Sequence, residues 1–165
     1  MKNKTIKNSS TFLLLVLAIA LLPQTGLAQN KKDKKAAAIK NIVEARSYVF
    51  KAQTALPASG NTRQLTSDFD LRVSKDTIIS DLPYFGRAYS APLNPSEGPL
   101  RFTSTDFQYA ATNKKKGGWD IIITPKDLQD PRQLTLSIFD NGTASVVVTS
   151  NNRQPISFNG FVTSK

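Results

Sequence analysis

From Arg101 to the C-terminus, apolar residues recur at every second position in short runs, and a turn cuts each run. That pattern confines this half of the chain to an antiparallel sheet. Trp119, Ile121 and Ile123 face one way, Leu134, Leu136 and Ile138 form a second set, and Ala144, Val146 and Val148 a third. Asn141-Gly142 stands between the last two sets. This dipeptide is the strongest short hairpin signal, because a two-residue turn takes φ > 0 at both central positions. Thr103, Thr105, Phe107, Tyr109 and Ala111 read as one face of a single strand ahead of the polar turn Asn113–Gly118. Beyond a turn at Asn151-Asn152-Arg153, Ile156 and Phe158 lead to a last short strand near Phe161-Val162.

Ahead of this region the period changes. Ala36, Ile39, Ile42 and Val43 fall at helical spacing, with Lys40 and Glu44 one turn apart, and predict a helix over residues 34–47. Residues 48–54 read either as its continuation or as a strand; Tyr48, Val49, Phe50 and Thr54 favour the strand. Pro57–Asn61 is a loop. Phe69, Leu71 and Val73 alternate with polar residues, turn at Ser74-Lys75-Asp76, and return through Thr77–Ser80 as a hairpin. Pro83, Pro92, Pro95 and Pro99 exclude a long regular element from residues 81–100. The expected architecture is α+β and mostly β. An N-terminal helix precedes a strongly curved or barrel-like antiparallel sheet of about seven or eight strands.

Residues 1–28 have the layout of a secretory signal peptide. Lys2, Lys4 and Lys7 precede the apolar run Phe12–Leu22, Pro23 breaks it, and Gly26-Leu27-Ala28 offers small residues at a cleavage point. The apolar run is well short of the roughly 20 residues that cross a bilayer. The reading is therefore a cleaved signal at 1–28, a flexible basic tether at 29–35 and a single β-rich domain at 36–165. No transmembrane segment is expected in the mature chain. The expected location is the periplasm or the exterior, without lipid anchoring, since Gln29 stands where a lipoprotein carries cysteine.

The chain has no cysteine and no histidine. The first absence leaves the fold to stand on its core without disulfides. Together the two exclude Ser-His-Asp and Cys-His nucleophilic sites, thiolate or imidazole zinc sites, and the usual haem and iron–sulfur ligands. Chemistry by carboxylates, lysines, tyrosines and hydroxyls survives. Of the formal charge of +10, Lys2, Lys4 and Lys7 belong to the signal, and much of the rest lies in lysine runs at Lys31–Lys35 and Lys114–Lys116. Such runs attract anions without specificity. Nucleic acid is not an expected partner of an exported protein.

Leu82-Pro83-Tyr84-Phe85-Gly86-Arg87-Ala88-Tyr89, then Phe102-Thr103-Ser104-Thr105-Asp106-Phe107, then Ser150-Asn151-Asn152-Arg153-Gln154-Pro155-Ile156 resembles an exported Bacteroidetes family, domain of unknown function 4251. The likeness spans about Ala36 to Val162. It implies an envelope or secreted location and a compact, mostly β domain, and it supplies no activity. Members often look like lipoproteins, a feature from which Gln29 departs.

Tyr84, Phe85, Arg87 and Tyr89 are the candidate ligand-binding residues. Aromatic faces suit sugar rings, and a guanidinium pairs bidentately with carboxylate or phosphate. The alternative for this segment is a kinked strand that plugs the core, with tyrosine hydroxyls satisfied locally and Arg87 in a structural ion pair. Trp119 reads as core beside Ile121 and Ile123. Asn141-Gly142-Thr143 also matches a glycosylation sequon, which its turn role already explains. The aspartates are scattered through turns and strand ends, and no spacing selects a catalytic pair. The expected function is an exported, non-catalytic binding module of the cell envelope, recognising a glycan or other small ligand without cofactor or metal. The alternatives are a protein-interaction or assembly factor in the envelope and, third, a carboxylate-based hydrolase.

Overall fold

The computed structural model describes residues 25–89 and 100–165, with side chains from residue 31 onward. The candidate signal sequence up to residue 24, and most of the proline-rich stretch, lie outside the described residues. The chain divides after Asp33, and Lys34–Lys165 form one compact unit. Helix α1 (Thr25–Glu44) starts earlier than the spacing predicts and is continuous through the lysine-rich residues 29–35 expected as a tether. Lysine, alanine and glutamine are all good helix formers, so an apolar face is not required to propagate it. The rest of this section concerns the second unit. Among the described residues, no helix is long and apolar enough to cross a membrane.

Among the described residues nine strands follow: β1 (Tyr48–Pro57), β2 (Arg63–Val73), β3 (Ile78–Leu82), β4 (Leu100–Ser104), β5 (Phe107–Asn113), β6 (Trp119–Pro125), β7 (Gln133–Ile138), β8 (Thr143–Thr149) and β9 (Ile156–Thr163). They form one sheet in the order β4-β3-β2-β1-β9-β8-β7-β6-β5, and every neighbouring pair is antiparallel. An odd number of alternating strands leaves both edges running the same way. Those edges, β4 and β5, are consecutive in the chain and separated only by Thr105-Asp106. One bent strand therefore passes from one edge to the other, and the sheet nearly closes into a barrel. The expected architecture holds, with slightly more strands.

This corner corrects the single-strand reading of residues 103–111. In β4 the side chains of Leu100 and Ser104 are buried, whereas in β5 Phe107 and Tyr109 pack on the core. The two-residue break shifts the alternation by one, so Thr103 and Thr105 are exposed and not core-facing. Asp127, from the β6–β7 loop, makes the break. Its carboxylate accepts from Ser104 Oγ at 2.6 Å and from the amides of Thr105 at 2.7 Å and Asp106 at 3.2 Å. The Ser104 hydroxyl foremost, then the Thr105 amide, hold its pKa down to about 2. A carboxylate depressed below its unfolded value of about 3.9 stabilises the fold fully above that pH, and the contribution is lost as pH falls through about 2. NMR titration of the Asp127 carboxyl is expected to give a midpoint near that low value, with faster amide exchange at Thr105 and Asp106 in Asp127→Ala. An ordinary carboxylate midpoint with unchanged exchange would show that Asp127 does not hold the corner.

The interior is filled. Phe50, Leu71, Ile121, Ile123, Leu134, Leu136, Ile138, Val146 and Phe158 are wholly buried, and Trp119 is core as expected. Ile39 and Val43 of α1 join the same cluster. The helix ends in a Schellman motif, with Ser47 N–H donating to the Ile42 carbonyl at 2.9 Å and Arg46 N–H to that of Val43 at 3.0 Å. Arg46 occupies the left-handed position (φ 49°) where glycine is usual. Its guanidinium covers the Tyr109 ring at 4.5 Å, and the Tyr109 hydroxyl lies 3.3 Å from that of Tyr48. Burial pushes the Tyr48 phenol well above its ordinary pKa.

The Asn141-Gly142 hairpin is real, but its turn differs from the expected one. Only Gly142 has positive φ (81°), and its N–H donates to the Phe139 carbonyl at 2.8 Å. This is a type I turn closed by a left-handed glycine. The Asn141 side chain accepts from the amide and hydroxyl of Thr143.

Candidate functional site

Strand β1 carries a double irregularity. Its ladders with β2 and β9 both shift between Ala52 and Thr54: Gln53 is an extra residue against β9, whereas against β2 the extra residues lie in β2. On the β9 side the correction is small, because Gly160 pairs with Ala52 and Asn159 with Thr54. On the β2 side it is large. Ala52 pairs with Phe69 and Thr54 with Gln64, which leaves Leu65-Thr66-Ser67-Asp68 opposite Gln53 alone. Four residues cannot fit in the length of one, so this stretch of β2 flares outward. Thr66, Ser67 and Asp68 are exposed.

The flare makes a cleft of about 390 Å³ lined by Lys51, Gln53, Gln64, Asp68, Phe69 and Phe161 among others. Its volume falls within the usual range of small-ligand pockets, about 300–1,000 Å³. Phe161 sits directly across from Lys51 and is 40% exposed, unusual for a phenylalanine on a central strand. Gln53, Gln64, Ser67 and Asp68 supply amide, hydroxyl and carboxylate groups around it. Lys51 is held back: its ammonium lies 3.1 Å from Asp70, which also receives Arg72 at 3.1 Å. Asp70 is buried beneath these two cations and stands opposite Asp81 in the β2–β3 ladder, while Asp81 takes Arg101 at 2.6 Å. The cross-strand row Lys51–Asp70–Asp81–Arg101 thus puts its two carboxylates between two cations.

The aromatic segment singled out in the sequence lies at the opposite end of the sheet from α1. Tyr84 and Phe85 pack on the core. The Tyr84 hydroxyl is 2.9 Å from the carbonyls of both Arg87 and Gln154, and its ring lies under Arg153. Partial burial raises its pKa, against the opposing pull of Arg153. Gly86 is explained by the same ring, since an added Cβ would stand 2.4 Å from the Tyr84 oxygen. Phe85 lies under Arg63 at 4.9 Å. Backbone bonds from Tyr89 to Asn152 and from Gln154 to Arg87 strap the segment to the β8–β9 loop. The Arg87 and Tyr89 side chains are exposed. Tyr84 and Phe85 are thus brought together as a closure of the barrel end, whereas Arg87 and Tyr89 project from the surface.

Sequence reasoning did not find the cleft. Gly160 was its available signal, because a glycine inside a strand marks a bulge or a close backbone approach. Here an added Cβ would stand 1.9 Å from the Lys51 carbonyl oxygen.

Among the described residues, a nearly closed, filled antiparallel barrel with a helix packed on its core and a bulge in β1 defines a small β-barrel domain with an external cleft. The chain belongs to the DUF4251 family, a domain of unknown function whose family model matches residues 30–162. A crystal structure of a DUF4251 family protein from Bacteroides eggerthii DSM 20697 shares the fold. Its TM-score is 0.61 at 16% sequence identity, over 79% of this chain and 87% of that one. No curated protein matches the chain.

Proposed function

We propose that the chain is an exported, non-catalytic binding module that takes a small hydroxyl-rich ligand, an oligosaccharide above all, in the β1–β2 cleft. The observation that carries this reading is the half-exposed Phe161 ring set among Gln53, Gln64, Ser67 and Asp68 in a cleft of ligand size. An apolar face beside convergent amide, hydroxyl and carboxylate groups matches a sugar, which has an apolar ring face and a rim of hydroxyls. A non-catalytic role is supported by the use to which carboxylates are put. Asp70, Asp81, Asp120, Asp127 and Asp130 each already pair with a cation or accept hydrogen bonds within the fold. Export is supported by the layout of residues 1–28.

Thermal unfolding against a panel of neutral oligosaccharides tests the reading. A ligand at a hundred times its Kd should stabilise the protein by about 2.7 kcal/mol, several degrees for a chain of this size. Phe161→Ala is expected to abolish that shift while costing the unliganded protein about 1–2 kcal/mol. A shift that survives Phe161→Ala would move the site elsewhere, and a flat response across the panel would end the oligosaccharide reading.

A further inference from the structure

Strand β5 is an edge of unusual character. Among the described residues it pairs only with β6, and Gln108 and Ala110–Asn113 are all exposed. Exposed edges are normally guarded by a charge, a proline or a bulge. Phe107-Gln108-Tyr109-Ala110-Ala111-Thr112-Asn113 contains no charge and no proline, and its pairing with β6 runs without a register shift. The charges sit at its two ends and have opposite signs. Asp106, with Asp127 bound to its amide, precedes the strand, and Lys114-Lys115-Lys116 follows it.

We propose that β5 pairs antiparallel with β5 of a second copy of this chain, about a two-fold axis through Ala110. Two independent features select that register. The first is charge. With Ala110 opposite its own copy, Phe107 faces Asn113 and Asp106 faces Lys114; Lys114 is itself held by Asp120 at 3.0 Å, so the exposed Lys115 and Lys116 beside it are the cations that meet the acidic end of the other protomer. A parallel alignment would set lysine run against lysine run, which is unfavourable. The second is apolar surface. Ile122 is directly opposite Ala110 in the β5–β6 ladder and is 43% exposed. Pairing at Ala110 makes a continuous row Ile122–Ala110–Ala110–Ile122 across the axis, on one face of the joined sheet. Charge and apolar matching thus centre on the same residue, as an isologous interface requires. This surface is separate from the β1–β2 cleft, so two-fold pairing would present two ligand sites.

A seven-residue strand pair is a small interface, in the class of transient contacts below about 1,200 Å². Sedimentation velocity of the protein from about 10 μM to 1 mM is the test. A concentration-dependent dimer is expected, with its population falling as salt screens the end charges. Ala110→Lys places two ammonium groups at the axis on an exposed position. It should reduce dimerisation at least tenfold while circular dichroism and thermal midpoint stay unchanged. Asp106→Lys should weaken the dimer too, and adding Lys115→Asp and Lys116→Asp should restore it. A protein monomeric at the highest concentration and low salt overturns the proposal, as does a dimer indifferent to Ala110→Lys. A monomer that binds an extended polyglutamate peptide, and loses that binding in Ala110→Lys, overturns it in favour of a foreign acidic strand.

Discussion

Gly160→Ala is expected to destabilise the protein by about 3 kcal/mol or more, at the top of the range for overpacking, and Gly160→Val to prevent folding. Gly160 lies in β9, between Ala52 of β1 and Ala144 of β8, where three central strands meet. An added Cβ would stand 1.9 Å from the Lys51 carbonyl oxygen, 2.9 Å from its carbonyl carbon and 3.2 Å from the Ala52 Cα. All three are backbone atoms, so no side chain can rotate away. Relief requires β1 and β9 to separate, and β1 is also the strand from which β2 flares. The loss is large against the total stability of a domain, about 5–15 kcal/mol. Gly60→Ala provides the contrast. An added Cβ there meets nothing within 4 Å, although φ is 111°. Its cost is conformational alone, on the order of 1–3 kcal/mol for a non-glycine residue held at such a φ. Denaturant unfolding of the two variants checks both, and equal midpoints would contradict the close approach of β1 and β9.

Arg153→Ala is expected to cost about 3 kcal/mol, because it strands a buried carboxylate. Arg153 Nε lies 3.0 Å from Asp130 Oδ2, and each side chain is only 13% exposed. Both Asp130 oxygens and Arg153 Nε are shielded from solvent, and none has an aligned hydrogen bond. The pair is thus held by charge, with the Tyr84 ring against the guanidinium. It ties the β6–β7 loop to the β8–β9 loop, to which Tyr84–Tyr89 is strapped. Removing one partner leaves the other charge in a poor solvent. Removing both, as in Asp130→Leu with Arg153→Leu, should recover much of the loss, because the desolvation cost disappears with the charges. Chemical denaturation of the two single variants and the double variant measures this. A double variant no better than Arg153→Ala would mean that the pair contributes by shape and not by charge.

Most strands were legible because their inward residues are aliphatic and strictly alternating, as in Trp119–Ile123 and Leu134–Ile138. The failures have particular causes. Residues 103–111 alternate without interruption in the sequence, but Asp127, twenty-odd positions downstream, captures the amides of Thr105 and Asp106 and turns the strand there. No local pattern carries that bond. The N-terminal half of β2 contains Thr66-Ser67-Asp68, which has no apolar alternation to mark a strand. It is held as strand by the β1 partner on its flanks, and the mismatch it accommodates is the cleft. The aromatic string at Tyr84–Tyr89 is not among them: Tyr84 and Phe85 close the barrel end, the core-plugging alternative for this segment, and Gly86 makes room for the Tyr84 ring, while Arg87 and Tyr89 are exposed. Phe161 read as ordinary strand because exposure on a curved sheet depends on the flare of another strand.

The most direct measurement is a set of backbone amide shifts by two-dimensional NMR as oligosaccharides are titrated into the protein. The binding account predicts perturbations grouped on Lys51–Gln53, Gln64–Phe69 and Phe161, lost in Phe161→Ala. Perturbations confined to Tyr84–Tyr89 and the β8–β9 loop, or none across the panel, would contradict it.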